Sequence, residues 1–326
     1  MKAPVFIVGC PRSGTSMLYH MLLSAGGFAH FRTQMNVFDV LRANYGDLGV
    51  LKNKRRMVKE WLQSRAFTAS GLDAGNIEAK VLSECRSAAD FQRIVMEEVA
   101  KAQGVDRWAD STPTNIPYLL EIKRGFPDAL VIHIIRDGRN ASLSLDRHGW
   151  SRPLPWDRQR SLLAAGLYWE WIVRRGRKLG ALIKPDYMEV RYEDLVNKPR
   201  ETLAVLGRFI DHDLDYQRIQ QVAVGSVRKP LTTFSAELEQ GSFNPIERFK
   251  TMFSSEELRL FESLVGDYLA ELGYQPVTPE TELDHGFRVR MLRVIYPLFY
   301  GLKQLVKSKT QLSRFFVTYS DTLIDK

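Results

Sequence analysis

Cysteine is scarce. Cys10 and Cys85 are the only two in 326 residues, too few for a disulfide framework and spaced like no zinc site. Such a pair suits a reducing cytoplasm and reads as two buried thiols. Long hydrophobic runs are missing as well, and nothing approaches the roughly 18 consecutive apolar residues of a spanning helix. The strand-like Val5-Phe6-Ile7-Val8 follows Met1 almost at once. That leaves no basic region, separate apolar core and cleavage site for an export signal. A cytoplasmic protein is expected. Repeats and low-complexity tracts are also lacking, which removes solenoids and flexible linkers.

What is present is ordinary globular composition, 44% hydrophobic and 26% charged. The net charge of +8 is unevenly placed. Phe287 to Lys326 holds eight basic residues against Asp321 and Asp325, so the rest of the chain is nearly neutral. A nucleic-acid-binding body would spread its cations over a whole face, so nucleic acid is not an expected partner.

Val5–Val8, a Gly/Pro loop and a helical pattern over Thr15–Ser24 form the first half of a βα unit. Residues 37–103 are mostly helical, broken at Ser70–Asn76, and read as an insertion or lid. Ala129–Ile135 is a branched apolar run suited to a strand buried on both faces. Asn140–Arg147 and Trp156–Leu179 read as helices, Tyr187–Tyr192 as a strand and Pro199–Ile210 as a helix. Strands alternating with helices imply an α/β fold, a central parallel sheet flanked by helices in three layers. A catalytic domain over 1–283 and a basic amphipathic extension over 284–326 are the expected units.

Gly9-Cys-Pro-Arg-Ser-Gly-Thr-Ser16 has the glycine spacing of the phosphate loop GxxxxGK[ST], between a strand and a helix. Its glycines let backbone N–H groups approach an anion, and the helix N-terminus adds positive potential. Thr15 stands where a nucleotide triphosphatase has lysine, and Arg12 is the cation available instead. Further on, Arg136-Asp-Gly-Arg-Asn-Ala-Ser-Leu-Ser144 starts at the end of a strand, with a serine eight positions after its first arginine. An arginine fork and a hydroxyl suit a phosphate dianion. A magnesium-dependent phosphoryl transferase would place an aspartate there.

Together these segments resemble the sulfotransferases that use 3′-phosphoadenosine 5′-phosphosulfate (PAPS). Pro11–Ser16 matches their 5′-phosphosulfate loop P-R-S-G-T-[ST] residue for residue. The resemblance implies a P-loop-like fold and sulfuryl transfer to a hydroxyl or amine by in-line displacement, leaving adenosine 3′,5′-bisphosphate and requiring no metal. It places Arg12, Ser13, Gly14, Thr15 and Ser16 on the 5′-phosphosulfate, and Arg136 and Ser144 on the 3′-phosphate. Arg139 either joins that pair or meets an acid of the domain. Tyr192, in Val190–Leu195, is similar to a residue near the adenine. Phe243–Phe253 resembles a loop closing over the 3′-phosphate, with Arg248 and the upstream Thr233 in the required places, although the family's Trp is Phe249 here.

In-line transfer needs a base. Asp110, in Trp108–Asn115, occupies the region where relatives carry an acid or His, with Arg12 assisting catalysis. Where many relatives have lysine after that acid, this chain has Ser111. His30 and His148 are reserve bases. Gln34 stands where the protein-tyrosine branch has an acid, which argues against a protein-tyrosine acceptor. Asp110 also has a purely structural reading, as the cap of a turn closing on Asn115. The acceptor is a small molecule, lipid or carbohydrate. The alternatives are a P-loop nucleotide kinase and a non-catalytic nucleotide-binding or membrane-associated protein.

In the extension, Met291, Ile295, Leu298, Leu302 and Leu305 fall at helical steps with Arg290, Arg293, Lys303 and Lys307 opposite, and Pro297 inside is expected to kink the helix. The stripe over 288–307 suits packing back on the domain, peripheral contact with anionic lipid, or a homodimer.

Overall fold

The computed structural model describes residues 1–31, 33–150, 153–154, 157, 160–230 and 244–309, the side chains of Arg42 and Lys309 excepted. Its centre is a four-stranded, wholly parallel sheet in the order β2-β1-β3-β4. The strands are β1 (Val5–Gly9), β2 (Ala109–Asp110), β3 (Leu130–Ile135) and β4 (Tyr187–Arg191). All five residues of β1 are buried, as an unbroken branched run requires when helices cover both faces. Alternate residues face opposite layers. Val5, Ile7, Ile132, Ile134 and Val190 meet α1 (Thr15–Ala25), α11 (Pro199–Ile210) and α12 (Tyr216–Val222). Phe6, Val8, Val131 and Ile135 face the larger core, built on α6 (Ala88–Ala102), α7 (Leu119–Gly125) and α9 (Ser161–Gly180). Each fully buried Leu, Ile or Phe contributes about 1.5–3 kcal/mol.

His133 of β3 enters that core with no exposed surface and is bonded to the Tyr187 hydroxyl at 2.6 Å. Burial, then the charge of Arg177, pushes its pKa down to about 3, so the ring is neutral.

Residues 37–103 form α2 (Val37–Tyr45), α3 (Leu51–Trp61), α4 (Arg65–Ser70), α5 (Ala74–Glu84) and α6. The Ser70–Asn76 break is real, since Gly71 closes α4 in the left-handed region and Asp73 caps α5. The long helix expected over Trp156–Leu179 is present over Ser161–Gly180, and its expected start, Trp156, lies outside the described residues. Tyr192, expected to end the Tyr187–Tyr192 strand, instead opens α10 (Tyr192–Asn197). α8 runs Gly138–Arg147 with Asp137 as its cap.

The C-terminal helix, Phe287–Lys309, continues through Pro297 and packs against α9, α2 and the Ser255–Glu271 helix. Its buried residues are Val289, Leu292, Tyr296 and Tyr300. Of Met291, Ile295, Leu298, Leu302 and Leu305, read from sequence as one apolar stripe, Ile295 is half-buried against the core and the other four are exposed. Two apolar rows of helical period share this helix, and the aromatic one faces inward. Cys10 and Cys85 are both buried free thiols.

Candidate active site

β1 ends where it runs closest to β3. A Cβ on Gly9 would stand 2.6 Å from the Ile134 carbonyl oxygen, so only glycine allows this approach. The chain then turns, with the Ser13 N–H donating to the Cys10 carbonyl at 3.0 Å. Arg12 and Gly14 both take left-handed conformations, φ 71° and 100°. Glycine does so freely, whereas a non-glycine residue there costs on the order of 1–3 kcal/mol, a strain concentrated at functional loops. α1 begins at Thr15, bringing its unsatisfied N–H groups to the turn. Ser13 is fully buried, and its hydroxyl has no hydrogen-bond partner. A buried orphan donor in a loop shaped for an anion fits a ligand oxygen.

Arg136 follows directly on β3. Its Nη1 donates to the Arg12 carbonyl at 2.8 Å and its Nη2 to the Pro245 carbonyl at 2.5 Å. The Trp169 indole N–H holds the Arg136 carbonyl at 3.0 Å. The guanidinium carbon lies 4.3 Å from the Tyr192 ring centroid. Arg136 Nε is buried and without a partner, a second orphan donor. Ser144, near the end of α8, accepts from Arg12 Nε at 2.9 Å. The two segments thus touch, and the Arg12 side chain reaches the Ser144 end rather than staying within its own loop. Burial, and then the charge of Arg136, lowers the pKa of Arg12. Two guanidinium groups held this close favour a bound polyanion.

Tyr192 lies beneath both segments. A Cβ on Gly14 would come within 2.5 Å of its ring, and the ring is buried. Glu193, next in α10, accepts from the Asp137 N–H at 3.0 Å and from the Tyr274 hydroxyl at 2.9 Å, which fixes the start of α8.

Arg139 belongs elsewhere. It pairs with Asp137 at 2.7 Å and Glu262 at 2.8 Å, all three buried, and lies 3.9 Å from the Phe249 ring centroid. Its alternative reading, a partner for acids of the domain, is the one the structure shows. Phe249, in the place of the family's Trp, thereby stacks on a cation.

The Asn244–Phe253 segment closes over the start of α8. Besides Arg136, Asn140 ties it down, donating to the Ile246 carbonyl and accepting from the Phe249 N–H at 3.1 Å. Arg248 is buried in this segment, and Thr233 lies outside the described residues. Asn140 was not singled out in the sequence, although it stands within the Arg136–Ser144 motif.

Asp110 ends β2, opposite Phe6 of β1. Its Oδ1 accepts from the Thr112 N–H at 2.9 Å and Asn115 Nδ2 at 3.0 Å, and its Oδ2 from Gln92 Nε2 at 3.0 Å and Thr112 Oγ1 at 3.1 Å. The closing of the turn on Asn115 is therefore present. Burial raises the pKa of Asp110, against the opposing pull of those four bonds. Gln92 comes from α6 and carried no signal in the sequence beyond helical periodicity. Gln34 is exposed, and the His30 N–H is bonded to Gln103 Oε1 at 2.7 Å. His148 stacks on Trp150 with ring centroids 4.9 Å apart, and Arg12 lies 5.9 Å from the Trp150 ring. Burial, then the Arg12 charge, lowers the His148 pKa.

A groove of about 850 Å³ opens at the other end of β1, lined by Arg200, Arg208 and Arg218 together with Asp211, Asp213 and Asp215. None of the motif residues lines it, and its mixed charges match no single anion.

The family model described as the sulfotransferase family matches residues 4–216. No curated protein matches the chain in sequence. Among solved structures, the sulfotransferase domain of the Synechococcus PCC 7002 olefin synthase is similar, with TM-score 0.55 and 16% identity over 83% of this chain and 96% of that one. The sulfotransferase domain from the curacin biosynthetic pathway is similar, with TM-score 0.52 and 17% identity over 84% and 99%. At such identities the likeness concerns the fold. The family match takes in both motif segments and most of the chain, and the chain belongs to the PAPS-dependent sulfotransferase family.

Proposed function

We propose that the protein transfers a sulfuryl group from PAPS to a hydroxyl or amine of a small-molecule, lipid or carbohydrate acceptor. The supporting observation is the convergence of the two anion-binding segments on Tyr192, with Arg136 bonded to the phosphate loop itself. A nucleotide phosphorylated on both its ribose and its 5′ end would use both.

In this reading Ser13, Gly14, Thr15 and Ser16 hold the 5′-phosphosulfate, and Arg136 and Ser144 the 3′-phosphate. Arg12, within reach of Ser144, spans the two ends. Tyr192 flanks the adenosine, Arg248 belongs to the segment closing over it, and Thr233 is the upstream hydroxyl that the family resemblance assigns to the same site. The acceptor oxygen or nitrogen forms the new bond to sulfur as the bond to the 5′-phosphate oxygen breaks, and the acceptor proton passes to Asp110. The departing charge stays on the 5′-phosphate, where fixed donors stabilise it without a metal. A kinase reading is weaker, because Thr15 replaces the phosphate-loop lysine and Arg136 the magnesium-binding aspartate.

The test is thermal stability with adenosine 3′,5′-bisphosphate against ATP with Mg²⁺, followed by transfer from labelled PAPS to an acceptor library. A shift with the bisphosphate alone, and labelled product, are expected. A shift with ATP–Mg²⁺ alone would point to the kinase.

A further inference from the structure

One face of the Phe287–Lys309 helix is fastened to the body. The Tyr296 hydroxyl donates to Asp157 Oδ2 at 3.0 Å, and that of Tyr300 to the Ala164 carbonyl at 2.9 Å. Arg293 pairs with Asp267 at 2.7 Å, and Lys307 with Asp39, which also accepts from the Tyr118 hydroxyl at 2.8 Å. These contacts fix the rotation of the helix about its axis.

The outward face is apolar all along its length. Phe287, Met291, Val294, Leu298, Leu302 and Leu305 follow one another at steps of three and four residues, from 37% exposed at Met291 to 83% at Phe287. At ~1.5 Å per residue the stripe is about 27 Å long. Because the opposite face is already packed, this stripe is surplus to the core. Arg288 and Arg290 are exposed, and at 100° per residue they fall on its two flanks. The helix carries six basic residues and no acidic one. A second copy laid on it would set these arginines against the same arginines if parallel, or against the Lys303–Lys309 end if antiparallel, with no helix acid to answer them in either case, whereas an anionic lipid surface supplies that charge. Among the described residues no helix is long and apolar enough to cross a membrane, so the fitting geometry is one lying in the interface.

We propose that this stripe docks the protein on an anionic bilayer, with its six apolar side chains in the headgroup–acyl boundary and Arg288 and Arg290 on lipid phosphates. The test is flotation of the full chain with vesicles of phosphatidylcholine, with and without phosphatidylglycerol. The wild type is expected to float with the anionic vesicles, less so at high salt. Leu298→Glu with Leu302→Glu is expected to lower the bound fraction on the order of tenfold. Arg288→Glu with Arg290→Glu is expected to remove the preference for anionic lipid. Melting temperature and the shift given by adenosine 3′,5′-bisphosphate should stay as in the wild type in both variants. Wild-type protein that does not float, or a leucine variant that floats equally well, overturns the proposal. So does a leucine variant that melts much earlier, which would mean that the chain itself covers the stripe. A sedimentation dimer that the variant dissolves would assign the stripe to a second copy.

Discussion

Arg12 and Ser144, 132 residues apart in the chain, are joined by a 2.9 Å hydrogen bond. The bond links the turn after β1 to the far end of α8. In the proposed reading each of those segments is a modest anion site alone, and the contact joins them into one site with two ends. The Arg136 bond to the Arg12 carbonyl closes the same junction from the other side.

Gly14 sets how close the loop comes to Tyr192. In Gly14→Ala the new methyl would meet the ring at 2.5 Å in a conformation, φ 100°, that L-residues avoid. The expected cost is about 1–3 kcal/mol of stability, with affinity for adenosine 3′,5′-bisphosphate lost in the remaining folded protein. Urea unfolding and calorimetry read the two effects. A variant of wild-type stability and affinity would place the loop differently.

Asp110→Asn separates chemistry from structure. Gln92 Oε1 and Asn115 Oδ1 are buried without partners, so either amide can turn to accept from the NH₂ group that the substitution introduces. A raised carboxyl pKa contributes stability below its unfolded value and loses it as pH rises through the folded one, so the asparagine variant should be no less stable at neutral pH. Turnover is expected to fall about 10²–10⁴-fold. In the wild type, kcat/KM should fall with falling pH along a limb above the ordinary aspartate range, because burial raises this pKa and the base works deprotonated. Undiminished turnover in the variant assigns Asp110 to holding the turn.

Arg139 is a matter of stability. Arg139→Ala strands Asp137 and Glu262 in the interior, and Glu262 also accepts from the Val277 and Thr278 N–H groups at 3.0 and 2.7 Å. The expected loss is about 3–5 kcal/mol, read by denaturant unfolding. A loss below ~1 kcal/mol, with nucleotide binding abolished, would return Arg139 to the 3′-phosphate site.

The strands β1, β3 and β4 were legible because branched apolar runs between helical patterns have few other uses. β2, only two residues long, could be placed only through its resemblance to the family segment. The two anion segments were visible because glycine spacing and an Arg–Ser pair are local in sequence. Gln92 beneath Asp110, Asn140 on the closing segment and Glu193 behind α8 were not, since their roles arise from contacts between distant segments. The C-terminal helix shows the same limit. Its leucine row and its tyrosine row have equal period, and only the hydroxyl partners at Asp157 and Ala164 decide which turns inward.

The most direct measurement is calorimetric titration with adenosine 3′,5′-bisphosphate, adenosine 5′-phosphate and adenosine 3′-phosphate, on the wild type and on Arg136→Ala. If one nucleotide spans both ends, the bisphosphate should bind the wild type at least about a hundredfold more tightly than the 5′-phosphate, the worth of two charged hydrogen bonds. Arg136→Ala should remove that advantage, with a smaller loss of 5′-phosphate binding because its Nη1 also holds the Arg12 carbonyl of the loop. Equal wild-type affinities for the bisphosphate and the 5′-phosphate would contradict a site built for a 3′-phosphorylated donor.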